Sequence, residues 1–185
     1  MLTQSDLITQ KEAQLERIQK KVDLLLQCKP SLLAQKPSKE SWSALECMDH
    51  LNRYGKFYIP EIKSKLLNRP ALTSGTTVFK SGWLGAYFTK SMLPPGEKVN
   101  KMKTFKSMNP SFSSTDPDTV AIFMEQLSEI RYLLELSRGV DLNRVRTGIT
   151  LTRWLTFKLG DTFGFYLNHL ERHVNQALRA AGLTV

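Results

Sequence analysis

The sequence holds three histidines, and two of them, His169 and His173, stand four residues apart in the run H-L-E-R-H near its C-terminal end. Side chains at i and i+4 project from one face of a helix, so this run can offer two imidazoles to a single ion. His50, alone on another helical stretch, can supply a third nitrogen. Three neutral imidazoles suit zinc, nickel, copper or iron, and such a set leaves one coordination position for water or substrate, as catalytic zinc sites do. The chemistry expected is that of an open metal centre, not of a structural staple. Leu170 follows the first histidine of the pair, so the metalloprotease pattern H-E-x-x-H and its glutamate base are absent. A lone HxxxH pair is more often an ordinary helix face than a site; what favours a site here is that no histidine falls on a loop.

Four helical stretches must position these residues. The first runs from about Gln4 to Gln27, with Leu15, Ile18, Val22 and Leu25 at the spacing of an amphipathic face, and it stops at Cys28-Lys29-Pro30. The second has the sharpest start signal in the chain. In W-S-A-L-E-C, Ser43 is the N-cap and Glu46 the N3 residue of a capping box, and Trp42 is placed to staple onto Cys47. This stretch carries His50 and continues through Leu51, Tyr54, Tyr58 and Ile62 towards Leu67, with a kink or an earlier end expected at Pro60.

The third predicted helix begins at Asp116-Pro117, shows Val120, Phe123, Leu127, Ile130 and Leu134 on one stripe, and has Gly139 as its C-terminal cap. Between Val140 and Lys158, residues Ile149, Leu151, Trp154, Leu155 and Phe157 fit either a buried extended segment or a short helix. The fourth helix is expected from Asp161 to Ala181. Its core stripe is Phe163, Leu167, Leu170, Val174, Ala177 and Ala181; Tyr166, His169, His173 and Gln176 flank it, and Asn168, Glu171, Arg172, Asn175 and Arg179 face away. A long connection, residues 68–115, separates the second and third helices and exceeds any simple turn. Its apolar patch, Trp83, Leu84, Tyr87, Phe88 and Met92, reads as a short helix packed on the rest, too aromatic to stay solvated.

A chain of 185 residues with 41% hydrophobic and 23% charged residues suits a single folded domain spanning 1–185. No stretch approaches the ~20 apolar residues of a membrane span, and the N-terminal residues lack the pattern of a secretory signal. Cys28 and Cys47 form no C-x-x-C pair and, with no export signal, point to a reducing cytoplasm. The net charge of +9 attracts anions. Lys80, Lys90, Lys98, Lys101, Lys103 and Lys106 gather in the long connection, where a solvated loop is the better reading, since no nucleic-acid-binding module is present. Paired Glu-x-x-His motifs are also missing, which disfavours a carboxylate-bridged di-iron centre.

Trp42-Ser43-Ala44-Leu45-Glu46 leading to His50-Leu51-Asn52, and Gly160-Asp161 leading into His169-x-x-Arg172-His173-x-x-Gln176, resemble the signature of the DinB-like or YfiT-like superfamily. The resemblance covers the whole chain in order and spacing, the long middle connection included. It implies an all-α four-helix bundle with a long crossover between the second and third helices, commonly a homodimer, in which His50, His169 and His173 bind a divalent metal, usually zinc or nickel. Relatives are metal-dependent transferases or isomerases using low-molecular-weight thiols, or metal-dependent hydrolases, so the resemblance implies a small-molecule substrate and either an S-transferase or a hydrolase. The ion could lower the pKa of bound water to about 7 or hold a cofactor thiol as the reactive thiolate. No residue separates these routes, and neither cysteine is an obvious nucleophile.

Around the ligands, Glu46 lies one turn before His50 and either accepts its ring N–H or only closes the capping box, the second being favoured. Gln176 can hydrogen-bond a ligand or substrate, and Tyr54 and Tyr166 can line a pocket or simply fill the core. A different class of function stays open: a non-catalytic stress-response or interaction protein whose metal site is vestigial.

Overall fold

The computed structural model describes residues 2–67, 78–92, 105–110, 116, 118–150 and 152–183. The chain is mostly helical, with one small antiparallel sheet. Helix α1, Gln4–Leu26, starts on a capping box in which Thr3 and Asp6 satisfy each other's backbone N–H. It buries Leu7, Ile8, Leu15, Ile18, Val22 and Leu25, with Gln4 and Gln14 buried beside them. Pro30 then opens the one-turn-and-a-half helix α2, Pro30–Ala34, at the position where its missing N–H costs nothing.

Helix α3, Ala44–Leu67, begins as its sequence demands: Ser43 N–H donates to Glu46 Oε2 at 2.8 Å and Glu46 N–H donates to Ser43 Oγ at 3.2 Å. It runs without interruption through Pro60. Pro60 and Lys56, whose carbonyl loses its helical donor there, are both exposed, so water can satisfy that group. In place of Asp116-Pro117, helix α5 starts at Thr119 and ends at Ser137; Pro117 lies outside the described residues. Gly139 does not adopt the left-handed cap conformation expected of it. Among the described residues only Gly182, after the last helix, has a positive φ, 71°, so the left-handed stop falls there.

The ambiguous stretch resolves into a hairpin, β1 (Arg146–Ile149) and β2 (Thr152–Lys158), with Arg146 opposite Lys158 and Thr147 opposite Phe157. The wholly helical expectation is corrected to this extent. Thr147 and Ile149 alternate inward along β1, a period of two that suits β-branched residues on a half-buried strand. The hairpin docks on α3, where Gly148 N–H donates to Glu61 Oε1 at 2.7 Å and Thr150 N–H to Tyr58 Oη at 3.3 Å.

Helix α6, Leu159–Ala180, follows β2 directly, two residues before the expected start. The four long helices interlock: α1 packs on α5 and α6, and α3 packs on the same two. Their shared core includes Leu15, Ile18, Leu51, Tyr58, Phe123, Ile130, Phe163, Leu167, Leu170 and Val174. Asn168 and Asn175, expected to face away, are buried against α1: Gln14 Nε2 donates to Asn168 Oδ1 at 2.9 Å and Lys21 Nζ to Asn175 Oδ1 at 2.8 Å. Helix α6 is therefore covered on more than one face, and its buried amides are tolerated because each is paired.

Within the long connection, α4 (Trp83–Ser91) forms where the aromatic patch predicts it and packs on α6. Its attachment is specific. The buried Asp161 carboxylate accepts from Ser81 Oγ and, at 2.9 Å, from Gly82 N–H, the N-cap residue of α4. Gly85 allows this approach, since a Cβ there would lie 2.4 Å from Asp161 Cγ. Gly85→Ala is expected to destabilise the protein by about 1–3 kcal/mol through overpacking, read as a lower denaturation midpoint. Asp161→Asn should cost less, because the amide oxygen can still accept one of the two bonds. Residues 68–77, 93–104 and 111–115 of the connection, with Lys98, Lys101 and Lys103, lie outside the described residues.

Candidate metal centre

Helices α3 and α6 pack directly on each other, and this contact brings His50, two turns into α3, against His169 and His173 on α6. The ring centroids lie 5.1 Å apart for His50 and His169, 4.5 Å for His50 and His173, and 4.7 Å for His169 and His173. One nitrogen from each ring falls within 4.8 Å of the others. His50 and His169 are 1% and 4% exposed, and His173 sits at the margin.

Hydrogen bonds fix two of the tautomers. His50 Nδ1–H donates to the Met108 carbonyl at 2.6 Å, and His173 Nδ1–H donates to Gln176 Oε1 at 3.0 Å. Each bond puts the lone pair of its ring on Nε2. His50 Nε2 faces His169 Nε2 at 3.3 Å. Two nitrogens held at ~2.0–2.1 Å from one tetrahedral ion would sit about 3.3–3.4 Å apart, so the His50–His169 spacing is that of two ligands of one zinc, while the full set spans up to 4.8 Å and would draw in to share an ion. His169 Nδ1 is buried with no hydrogen-bond partner.

Burial holds all three rings neutral. It pushes His50 down to about 4, against a smaller upward pull from the Met108 carbonyl, and His173 down to about 3, with the neighbouring His50 adding to the effect. His169 is lowered well below the ordinary range by burial first and by its two histidine neighbours next. Neutral imidazole is the form that ligates a metal, so the site is in the ligating state at neutral pH.

Aromatic rings surround the cluster. Trp42 lies 4.9 Å from His50 and 5.8 Å from His173, Tyr54 lies 4.3 Å from His169 and 4.9 Å from His50, and Phe165 is parallel to His169 at 6.2 Å. Trp42, expected as a staple on Cys47, thus has its ring contacts with two histidines. Because it is the tryptophan against the cluster, while Trp83 and Trp154 are 81% and 93% exposed, it should report on the site. Addition of zinc is expected to change the intrinsic fluorescence of the wild type, and Trp42→Phe should remove most of that response; an unaltered response in the variant would place the signal elsewhere.

The other expected site residues divide. Gln176 orients His173 and Tyr54 lines the cluster, as described. Glu46 does not reach His50: its carboxylate is taken by the capping box and by Lys36 Nζ at 2.8 Å, so the carbonyl of Met108 is the partner of His50. The ring of Tyr166 packs on Tyr58 at 4.8 Å, and its buried hydroxyl has no partner among the described residues. Phe165 and the Met108 carbonyl were not among the expected residues. Phe165, one turn before His169, was open to a helical reading. A backbone carbonyl 58 positions from its partner leaves no trace in a sequence.

The family model described as the DinB superfamily matches residues 14–177. The chain belongs to the DinB superfamily. The matched span includes the capping box before His50, all three histidines and Gln176, and a helical DinB chain with a three-histidine group is compatible with metal binding. Comparison with curated proteins and with solved structures yields no match. Among the described residues, no helix of this DinB chain is long and apolar enough to cross a membrane.

Proposed function

We propose that this DinB chain is a metal-dependent enzyme in which His50, His169 and His173 hold one divalent ion, zinc or nickel, and that it acts on a small molecule as a low-molecular-weight-thiol S-transferase or a hydrolase. The observation that carries the reading is the convergence of three neutral imidazoles with ligand atoms within 4.8 Å of one another, the Nε2 lone pairs of His50 and His173 being set by fixed Nδ1–H bonds. When bound, the ion supplies Lewis acidity, which at neutral pH yields a nucleophile from water or keeps a thiol ionised. The chain's own part is to orient two of the rings, His50 through Met108 and His173 through Gln176, and to pack Trp42, Tyr54 and Phe165 around the cluster. We further assign the chain to one domain built as a four-helix bundle of α1, α3, α5 and α6, cytoplasmic and homodimeric, with nucleic acid not a partner.

A second reading, an interaction protein with a vestigial metal site, draws on the exposed aromatics Trp83 and Tyr87 of α4 and Trp154 of β2, since exposed aromatic surface commonly marks a partner contact. Elemental analysis of untagged protein beside His50→Ala and His173→Ala, followed by a panel of thiols and electrophiles, separates the two. About one ion per chain, lost in both variants, with turnover lost in His173→Ala, is expected of the enzyme. Native folded protein with no stoichiometric metal after reconstitution would reject it.

A further inference from the structure

The long connection reaches the site at one described point. The 3-10 turn Lys106–Met108 packs on α3, and its last carbonyl accepts the His50 Nδ1–H at 2.6 Å. The turn is closed by Met108 N–H donating to Phe105 O at 2.9 Å, and Asn109 N–H donates to Lys106 O at 3.3 Å. The same connection is fixed earlier in the chain by Asp161, through Ser81 and Gly82. His50 is otherwise surrounded by rings, Trp42, Tyr54, His169 and His173, none of which receives its Nδ1–H in this structure. The carboxylate one turn earlier, Glu46, is already committed to the helix cap and Lys36.

We infer that Met108 is the positioning residue of the metal centre: its backbone carbonyl, carried by the 105–110 turn, sets the tautomer and ring orientation of His50, so the seating of this turn and metal binding favour each other. The inference rests on the metal reading above and adds to it a dependence on a part of the chain that contributes no ligand. The physical basis is that a ligating histidine needs its second N–H accepted, which fixes the ring and raises the basicity of the other nitrogen; loss of such an outer partner typically weakens metal binding ~10–100-fold. By linkage, an ion that prefers the oriented His50 must stabilise the seated turn by the same factor. Since a carbonyl is the acting group, an apolar side chain of similar size can replace that of Met108, which packs against the core, while the turn itself cannot be lost. This separates the role from ordinary packing.

The test uses the full-length protein and zinc and cobalt ions alone. Met108→Leu keeps the carbonyl and is expected to bind zinc as the wild type does. Met108→Pro removes the N–H that closes the turn and pushes residue 107 out of helical conformation; it should bind zinc ~10–100-fold more weakly and give a changed visible spectrum with cobalt. Nitrogen-15 spectra of metal-free wild type should show His50 as the Nδ1–H tautomer. Backbone amides of residues 105–109 should exchange at least about tenfold more slowly once zinc is added, which decides the matter even if Met108→Pro unfolds. Wild type that binds zinc with no slowing, or Met108→Pro that folds and binds with wild-type affinity and cobalt spectrum, overturns the positioning role while leaving the three-histidine centre intact. Wild type that binds neither ion overturns both, and is thereby distinguishable.

Discussion

His169→Ala is expected to abolish metal binding and with it the thermal stabilisation that metal confers. His169 is in contact with both other rings: its Nε2 lies 3.3 Å from that of His50, and its centroid is 4.7 Å from that of His173. Removing it deletes a ligand outright, so the loss should exceed the ~10–100-fold that outer partners supply. In the wild type, zinc at about a thousand times its dissociation constant adds ~4 kcal/mol to the folded state. For a chain of 185 residues that is a rise in Tm of roughly 8–16 °C, at ~2–4 °C per kcal/mol. Differential scanning calorimetry with and without zinc measures it directly. The variant should show no zinc-dependent shift, and its metal-free Tm should fall modestly, because a small cavity replaces a poorly solvated ring. An unchanged zinc shift in His169→Ala would mean that the ion binds elsewhere.

The metal-free protein should lose stability steeply as the pH falls below the ordinary histidine value. Burial holds His50 near 4 and His173 near 3 in the folded chain and lowers His169 as well, whereas the unfolded chain protonates all three near 6.5. Between those values the unfolded state binds more protons, so stability is full above about pH 6.5 and declines on acidification. For His50 alone, the gap between 6.5 and about 4 corresponds to ~3 kcal/mol once the pH has reached the folded-state value; His173 and His169 add to it. Urea unfolding midpoints measured from pH 8 to pH 4 in the presence of a chelator should show this slope. A variant with glutamine at all three positions should be far flatter between pH 6.5 and 4.5. Equal slopes in the two proteins would show that carboxylates, not the imidazole cluster, govern the acid response.

Local signals in the sequence determined the helices that carry the site. Ser43 and Glu46 specify the start of α3 because a capping box is satisfied within four residues, and the stripes Leu15-Ile18-Val22 and Val120-Phe123-Leu127 specify α1 and α5 because burial repeats at the helical period. The spacing of His169 and His173 likewise fixed one shared helix face, and the paired motifs were specific enough to resemble the DinB superfamily that the family match shows. Where two local states were close in energy, sequence alone stopped short. The hairpin of β1 and β2 is held on α3 by Tyr58 and Glu61, which offer an acceptor each for its backbone, and such long-range hydrogen bonds have no local pattern. Asn168 and Asn175 read as solvent-facing by polarity, yet Gln14 and Lys21 on α1 meet them in the interior, since a polar side chain can be buried wherever a distant partner pays its desolvation. His50 joins the α6 pair in the sequence only as a candidate third ligand and through the family resemblance; its actual contact with that pair, the placement of Trp42 beside two imidazoles and the choice of the Met108 carbonyl over Glu46 as the partner of His50 were decided by tertiary structure. All three depend on the α3–α6 packing and on where the long connection returns to the site, and those are properties of the whole chain's burial, not of any segment within it.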